Sequence, residues 1–301
     1  MNASRIVGCY FVVQATLVSA WWASLLIYPN SIQWFQPSGW PQQHLLAFWL
    51  ADGIMIVGGS LLVSLAVFQK LRWSGLAVWC VAAAAWYPTL VCMAASIATG
   101  ESWIATSMMV SMAGLSLAMA TIYGNSAQEP KTIRVTRFDA MEALIWTLGQ
   151  TVIFWATFLW VLPLGIFELQ DHLRLSPFEH SFQLPLSMVS FVTSSSLGIW
   201  SGCVMSVHGE GTPLPTATAP KLVVIGPYRY VRNPMALAGI WQGISVGWFL
   251  GSLPVIAYSL CGAVLWHICV RPVEERDLFE RFGDSYIEYR KQVRLWIPRV
   301  N

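Results

Sequence analysis

Charge is what this sequence has least of. Only 11% of its 301 residues are Asp, Glu, Lys or Arg, while 56% are hydrophobic and the mean hydropathy is +0.56. A soluble domain carries about a quarter charged residues. A surface that is water-compatible all round is therefore excluded, and an integral membrane protein is expected. The pattern of a cleavable signal peptide is not expected from Arg5 onward either: the apolar run to Tyr28 is too long for a signal-peptide core and has no small-residue cleavage site. The cysteines, Cys9, Cys80, Cys92, Cys203, Cys261 and Cys269, form no CxxC pair and lie mostly in apolar runs. That favours buried small side chains over metal ligands or disulfides. Internal repeats and low-complexity tracts are absent.

What is abundant is tryptophan, 17 in all, a residue that favours the membrane–water boundary. Apolar runs of about 20 residues, each able to cross about 30 Å of hydrocarbon, lie at 6–28, 45–68, 74–98, 103–124, 143–167 and 185–207. Two shorter ones, 235–250 and 253–270, flank Gly251-Ser252, with Pro254 suited to the first turn of a returning helix. The expectation is an all-α polytopic membrane protein of about eight transmembrane helices, with a C-terminal helical hairpin and cytoplasmic amphipathic tail helices. A re-entrant pair at 235–270 is the alternative.

With the N-terminus inside, the inner segments collect every Lys and Arg of the 17 except Arg174. They are Arg5; Lys70 and Arg72; Lys131, Arg134 and Arg137; Lys221, Arg229 and Arg232; and Arg271, Arg276, Arg281, Arg290, Lys291, Arg294 and Arg299. The positive-inside rule then puts both termini in the cytoplasm, and a bacterial inner membrane is the expected setting. The mixed-charge stretch 126–142 reads as a cytoplasmic linker between a four-span membrane domain of unassigned role (1–125) and a second membrane domain (143–301). Asp52 sits inside the second span, as a cavity-lining acid or a structural hydrogen-bond acceptor. The outer loop 168–183 holds Glu168, Asp171, His172, Arg174, Glu179 and His180, which read as solvated loop charges, since no i, i+4 ligand pair stands out.

Polar chemistry concentrates in Lys221–Arg299. The run Gly226-Pro227-Tyr228-Arg229-Tyr230-Val231-Arg232-Asn233-Pro234 opens with turn residues, and Pro234 is placed to start a helix. Free backbone N–H groups there, with Arg232, would suit a carboxylate or phosphate. An ordinary interfacial loop with Tyr and Arg at the headgroups reads the same residues without a ligand. Glu274-Glu275, beyond the other edge of the hairpin, could bind an ammonium or ribose hydroxyls, or simply favour the first turn of the tail helix. A hairpin would bring the two clusters to one membrane face, where a zwitterionic cofactor finds both signs of charge. In the tail, Leu278, Phe282, Tyr286 and Tyr289 recur at near-helical spacing, interrupted by Gly283-Asp284. The stretch reads as two short amphipathic helices, a surface anchor or a lid. His267 is either a base or a satisfied structural residue.

GPYRYVRNPMALAG followed by EERDLFERFGDSYIEYRKQVRLWIP resembles the membrane methyltransferases of the isoprenylcysteine carboxyl methyltransferase and phospholipid methyltransferase superfamily, over about residues 209–299. Their pattern runs GxY-x-x-x-RHP-x-Y-x-G, a hairpin, then EE-x-x-L-x-x-x-FG-x-x-Y-x-x-Y and a closing proline. The resemblance implies a membrane methyltransferase domain over 143–301, with S-adenosylmethionine bound at the cytoplasmic face and a lipophilic substrate entering from the bilayer among membrane lipids. Nucleic acid and metal are not implied as partners. Carried over by position, Pro220, Lys221, Leu222, Val223 and Tyr228 would line the cofactor. So would Arg232, Asn233, Pro234, Met235, Ala236, Glu274 and Glu275, while Arg271 lies near the family's substrate-orienting arginine. Two positions depart: Asn233 stands where the family has His, and Ala236 where it has an aromatic. Asn still donates to a carboxylate but carries no charge.

Methyl transfer from a sulfonium is an in-line displacement, so such an enzyme mainly aligns nucleophile and methyl in a water-poor site. No dedicated base is evident, which favours a carboxylate or another acceptor ionised beforehand. Amine and thiol acceptors stay open. Two other classes compete: a nicotinamide-dependent reductase of the sterol and steroid kind, which has a related C-terminal arrangement, and a non-catalytic transporter or scaffold.

Overall fold

The computed structural model describes residues 3–127, 140–209 and 220–297. The linker region 128–139, the Gly/Pro/Thr-rich stretch 210–219, and Lys131, Arg134, Arg137 and Arg299 of the charge pattern lie outside the described residues. Among the described residues all regular structure is helical, with no strand. Seven helices are long and apolar enough to cross a membrane. Four come first: α1 Ala3–Ile27, α2 Gln42–Phe68, α3 Ser74–Thr99 and α4 Trp103–Ala127. They are followed by α5 Met141–His172, α6 Gln183–Gly209 and the helix Leu253–Gln292. The remaining expected span, α7 Pro234–Phe249, is shorter, at 16 residues or about 24 Å. The Leu253–Gln292 helix is divided below into α8 Leu253–Leu265 and α9 Arg271–Gln292.

Two compact units divide the described residues, the first drawn from Met1–Lys131 with Leu164–His172 and the second from Thr132–Pro163 with Leu173–Asn301. In the first, Val7 and Phe11 of α1 pack with Val63 and Val67 of α2, Val78 and Val81 of α3, and Ala120 of α4. Burial in hydrocarbon leaves polar side chains only each other as partners. Gln14 Nε2 accordingly donates to Ser60 Oγ (3.2 Å), and Ser116 Oγ donates to Gln14 Oε1 (2.8 Å). Asp52 accepts from Trp22 Nε1 at 3.2 Å, a hydrogen-bonded acceptor of the membrane interior. Glu168 is a helix residue here, not a loop charge. Its carboxylate takes Ser102 N–H (2.6 Å) and Ile104 N–H (2.8 Å), closing the start of α4. All six cysteine thiols are free.

The second unit carries the hairpin. α6 and α7 meet through small and hydroxyl residues: Gln242 Nε2 donates to Ser195 Oγ (3.0 Å) and Ser245 Oγ to Ser190 Oγ (2.7 Å). Thr147 and Ser206 hydroxyls, 2.8 Å apart, join α5 to α6. α7 turns into α8 through Gly251, at φ +65°, with Ser252 Oγ capping Val255 N–H at 3.2 Å. The turn is strapped from outside by Phe178 N–H to Gly251 O (2.8 Å) and Gln183 Nε2 to Phe249 O (3.1 Å).

α8 does not stop at the membrane boundary. From Leu253 to the kink at Gly283 the helix runs about 45 Å at 1.5 Å per residue, half as long again as the hydrocarbon is thick. Leu253–Val270 contains no Asp, Glu, Lys or Arg, whereas Arg271–Gln292 is densely charged. The crossing therefore ends near Val270, and α9 stands outside it. Pro272 offers no N–H and its ring crowds the carbonyl four residues back. A π-helical stretch at Trp266–Val270 widens the turn just there. The same device precedes Pro163, at Trp155–Val161. The expected break at Gly283 is present as a kink (φ 51°, ψ −124°) within α9. What differs is the entry: the tail begins as a continuation of the membrane helix.

Candidate active site

The site lies where the chain enters α7 and leaves α8. Gly226–Arg229 forms a 3-10 turn that buries Pro227 and Tyr228. Val231 follows, buried, and Asn233 then adopts a non-helical conformation before Pro234 starts α7. Asn233 Oδ1 accepts Ala236 N–H at 3.0 Å, a helix cap. Pro234 has no N–H and Leu237 N–H already bonds Asn233 O at 3.2 Å, so among the described residues Met235 N–H is the uncapped amide of this first turn. The free donors expected here are thus reduced to one.

Across the hairpin, adjacent residues pair with adjacent residues. Arg232 Nη1 meets Glu275 Oε1 at 2.8 Å, with side chains 14% and 21% exposed, and Asn233 Nδ2 donates to Glu274 Oε2 at 3.2 Å. The cation therefore goes to Glu275 and the neutral amide to Glu274. Burial pushes the Glu274 carboxyl up to about 7; the Asn233 hydrogen bond opposes the rise and the neighbouring Glu275 adds to it. Arg232 Nε is buried without a partner among the described residues. One unpaired donor and one carboxylate without a counter-ion thus sit side by side.

The end of α9 folds over this cluster. Tyr286 and Tyr289 are buried with Val293, against Leu222, Leu278 and Phe282. Tyr289 OH donates to Tyr228 O at 2.6 Å, and Arg232 N–H to Arg294 O at 3.0 Å. Burial raises both tyrosine hydroxyls, Tyr228 and Tyr289, above the ordinary phenol range. Asp277 and Arg281 close a further ion pair at 2.5 Å on α9.

Of the residues singled out by sequence, Arg232, Asn233, Pro234, Met235, Ala236, Glu274 and Glu275 come together at this junction, with Tyr228 beneath them. Val223 is buried, Leu222 packs on the tyrosines, Lys221 is exposed and Pro220 half-buried. Arg271 lies one turn before Glu274 and approaches His267 Nε2 at 3.2 Å, while Trp296 Nε1 reaches His267 Nδ1 at 3.3 Å. Beside them an open apolar recess of about 240 Å³ is lined by Ala263, Val264, His267, Ile268 and Trp296. Trp296 and Arg294 belong to the site's frame without having been expected there. The tail tyrosines were visible only as a spacing, since their burial depends on contacts with residues 222–232.

Residues 184–285 match the model of the phospholipid methyltransferase family. No similar curated protein and no similar solved structure was found.

Proposed function

We propose, from the match of residues 184–285 to the phospholipid methyltransferase family, that this protein is a membrane methyltransferase and takes S-adenosylmethionine at the junction of α7 and α9. The observation that carries the reading is the uncompensated pair at that junction. Glu274 has a neutral partner only, and the adjacent Arg232 keeps a buried Nε–H to spare. An amino-acid terminus presents one cation and one anion, and so fits. Glu274 would hold the ammonium and Arg232 Nε the carboxylate, with Leu222, Val223 and Tyr228 as the apolar floor. Bound there, the cofactor supplies an electrophilic methyl group.

The chain's own part is placement. The buried tyrosines keep water from the carboxylates, which strengthens each charge contact. Arg271 stands where the helix leaves the hydrocarbon, next to the apolar recess. It would orient the polar end of a lipophilic acceptor arriving from the bilayer, and an acceptor already ionised needs no proton removed. The charge pattern supports a cytoplasmic placement of this face and of both termini.

The test is calorimetric binding of S-adenosylmethionine to detergent-solubilised wild type and Glu274→Ala. Micromolar affinity that weakens at least about tenfold, the scale of one lost charge-assisted contact, is the expected result. A folded wild type that takes up no S-adenosylmethionine would end the reading.

A further inference from the structure

Asn233 uses both halves of its amide. Oδ1 is committed to Ala236 N–H at the start of α7, and Nδ2 to Glu274 Oε2 in the first turn of α9. Exchanging O and N would set a donor against a donor and an acceptor against an acceptor, so a single orientation satisfies both contacts. This is the one residue of the junction that fixes a helix end and a carboxylate together. What it does not supply is charge. Arg232, the neighbouring cation, is drawn to Glu275. The other groups around Glu274 bring it no cation either. Tyr228 faces it from the loop, Tyr286 and Tyr289 close the cluster from the end of α9, and Arg271 in the preceding turn is engaged with His267.

We infer that Asn233 is a positioning residue that holds Glu274 in place as a carboxyl without a counter-ion, so that capture of a ligand's cationic group at this site is coupled to release of the Glu274 proton. The inference rests on the cofactor reading above for the identity of the ligand, and on the hydrogen-bond geometry for the role of Asn233. A cationic side chain at position 233 would neutralise the carboxylate in advance; the amide aligns it and leaves it for the ligand.

The experiment has two arms, both on the full chain in detergent. The first measures S-adenosylmethionine affinity from pH 6 to 8, in two buffers of different ionisation heat. For wild type the affinity should fall about tenfold per pH unit below about pH 7, with proton release in the binding heat. Glu274→Gln should bind weakly and without pH dependence. Asn233→Asp keeps the helix cap, since Asp and Asn cap equally well, and so preserves the fold. It removes the donor and sets a second carboxylate against Glu274, moving the pH midpoint upward. An unchanged midpoint in Asn233→Asp, or a wild-type affinity flat across the range, would overturn the inference.

The second arm uses no ligand and follows thermal unfolding against pH. The folded-state Glu274 is raised above its ordinary value to about 7. Its contribution to stability is therefore full below the unfolded value of about 4.5 and is lost as pH rises through about 7. Glu274→Gln should abolish that component, and Asn233→Asp should extend it to higher pH. If S-adenosylmethionine binds at no pH, the cofactor reading falls and this arm decides on Asn233 alone. A shifted midpoint then keeps its positioning role; an unshifted one removes it.

Discussion

Replacing Arg232 by alanine tests whether the junction is held by charge or by packing. At 2.8 Å from Glu275, and with an effective dielectric of about 20, the attraction amounts to about 6 kcal/mol before desolvation is subtracted. Most of that is offset by taking both ions partly out of water. Arg232→Ala removes the gain but leaves the cost, because Glu275 stays in place beside Glu274. Breaking a buried pair costs about 3–5 kcal/mol. With side chains 14% and 21% exposed, the expected loss is lower, about 2–3 kcal/mol. The double variant Arg232→Ala/Glu275→Ala removes the stranded charge and should recover at least about 1 kcal/mol of it. Thermal unfolding of the four proteins in one detergent at pH 8 gives the cycle. Losses that simply add, with no coupling beyond about 0.3–0.5 kcal/mol, would show that the pair contributes nothing net and refute the argument.

Tyr289→Phe deletes the hydroxyl that donates to Tyr228 O. It should cost about 1–2 kcal/mol in the same unfolding assay, and an unchanged midpoint would mean that the tail does not brace the loop. Gly251→Ala puts a side chain at φ +65° where a Cβ would collide with the Phe178 carbonyl oxygen. Backbone strain alone should cost about 1–2 kcal/mol, and the collision adds to it, so a wild-type yield of folded protein in detergent would contradict the strap at the hairpin turn.

The sequence made the membrane helices legible because apolar run length responds to one physical variable, the thickness of hydrocarbon. The starts and ends of α1, α3 and α6 lie within about three residues of the expected runs, within ordinary uncertainty for helix ends. The hairpin turn was equally plain, since Gly251, Ser252 and Pro254 each act on local backbone geometry. α7 is the short one, expected at 235–250 and found with 16 residues; composition marks its apolar run but does not measure its length against the bilayer. The outgoing apolar run ends at the first charges. Charge ends a crossing without ending a helix, and Arg271–Phe282 continues in helical form beyond the membrane. Glu168 was hidden for another reason, as its partners are the amides of Ser102 and Ile104, far away in sequence. At the junction, the residue types were readable but their pairing was not. That Arg232 would choose Glu275 and leave Glu274 to an amide follows from the angle at which α7 and α9 meet, a tertiary fact no local spacing encodes.

The uninterrupted passage from α8 into α9 has a mechanical consequence. A helix that runs on through the headgroup layer, by way of a π-helical stretch and Pro272, passes a tilt in the hydrocarbon on to its outer arm. From Val270 to Arg281 the outer arm is about 16 Å, so a tilt of about 10° in the hydrocarbon half moves its far end by about 3 Å. Bilayers of different thickness are matched by tilting. The contacts of Glu274 and Glu275 with Asn233 and Arg232 tie that arm to the start of α7, so the junction works against such a tilt.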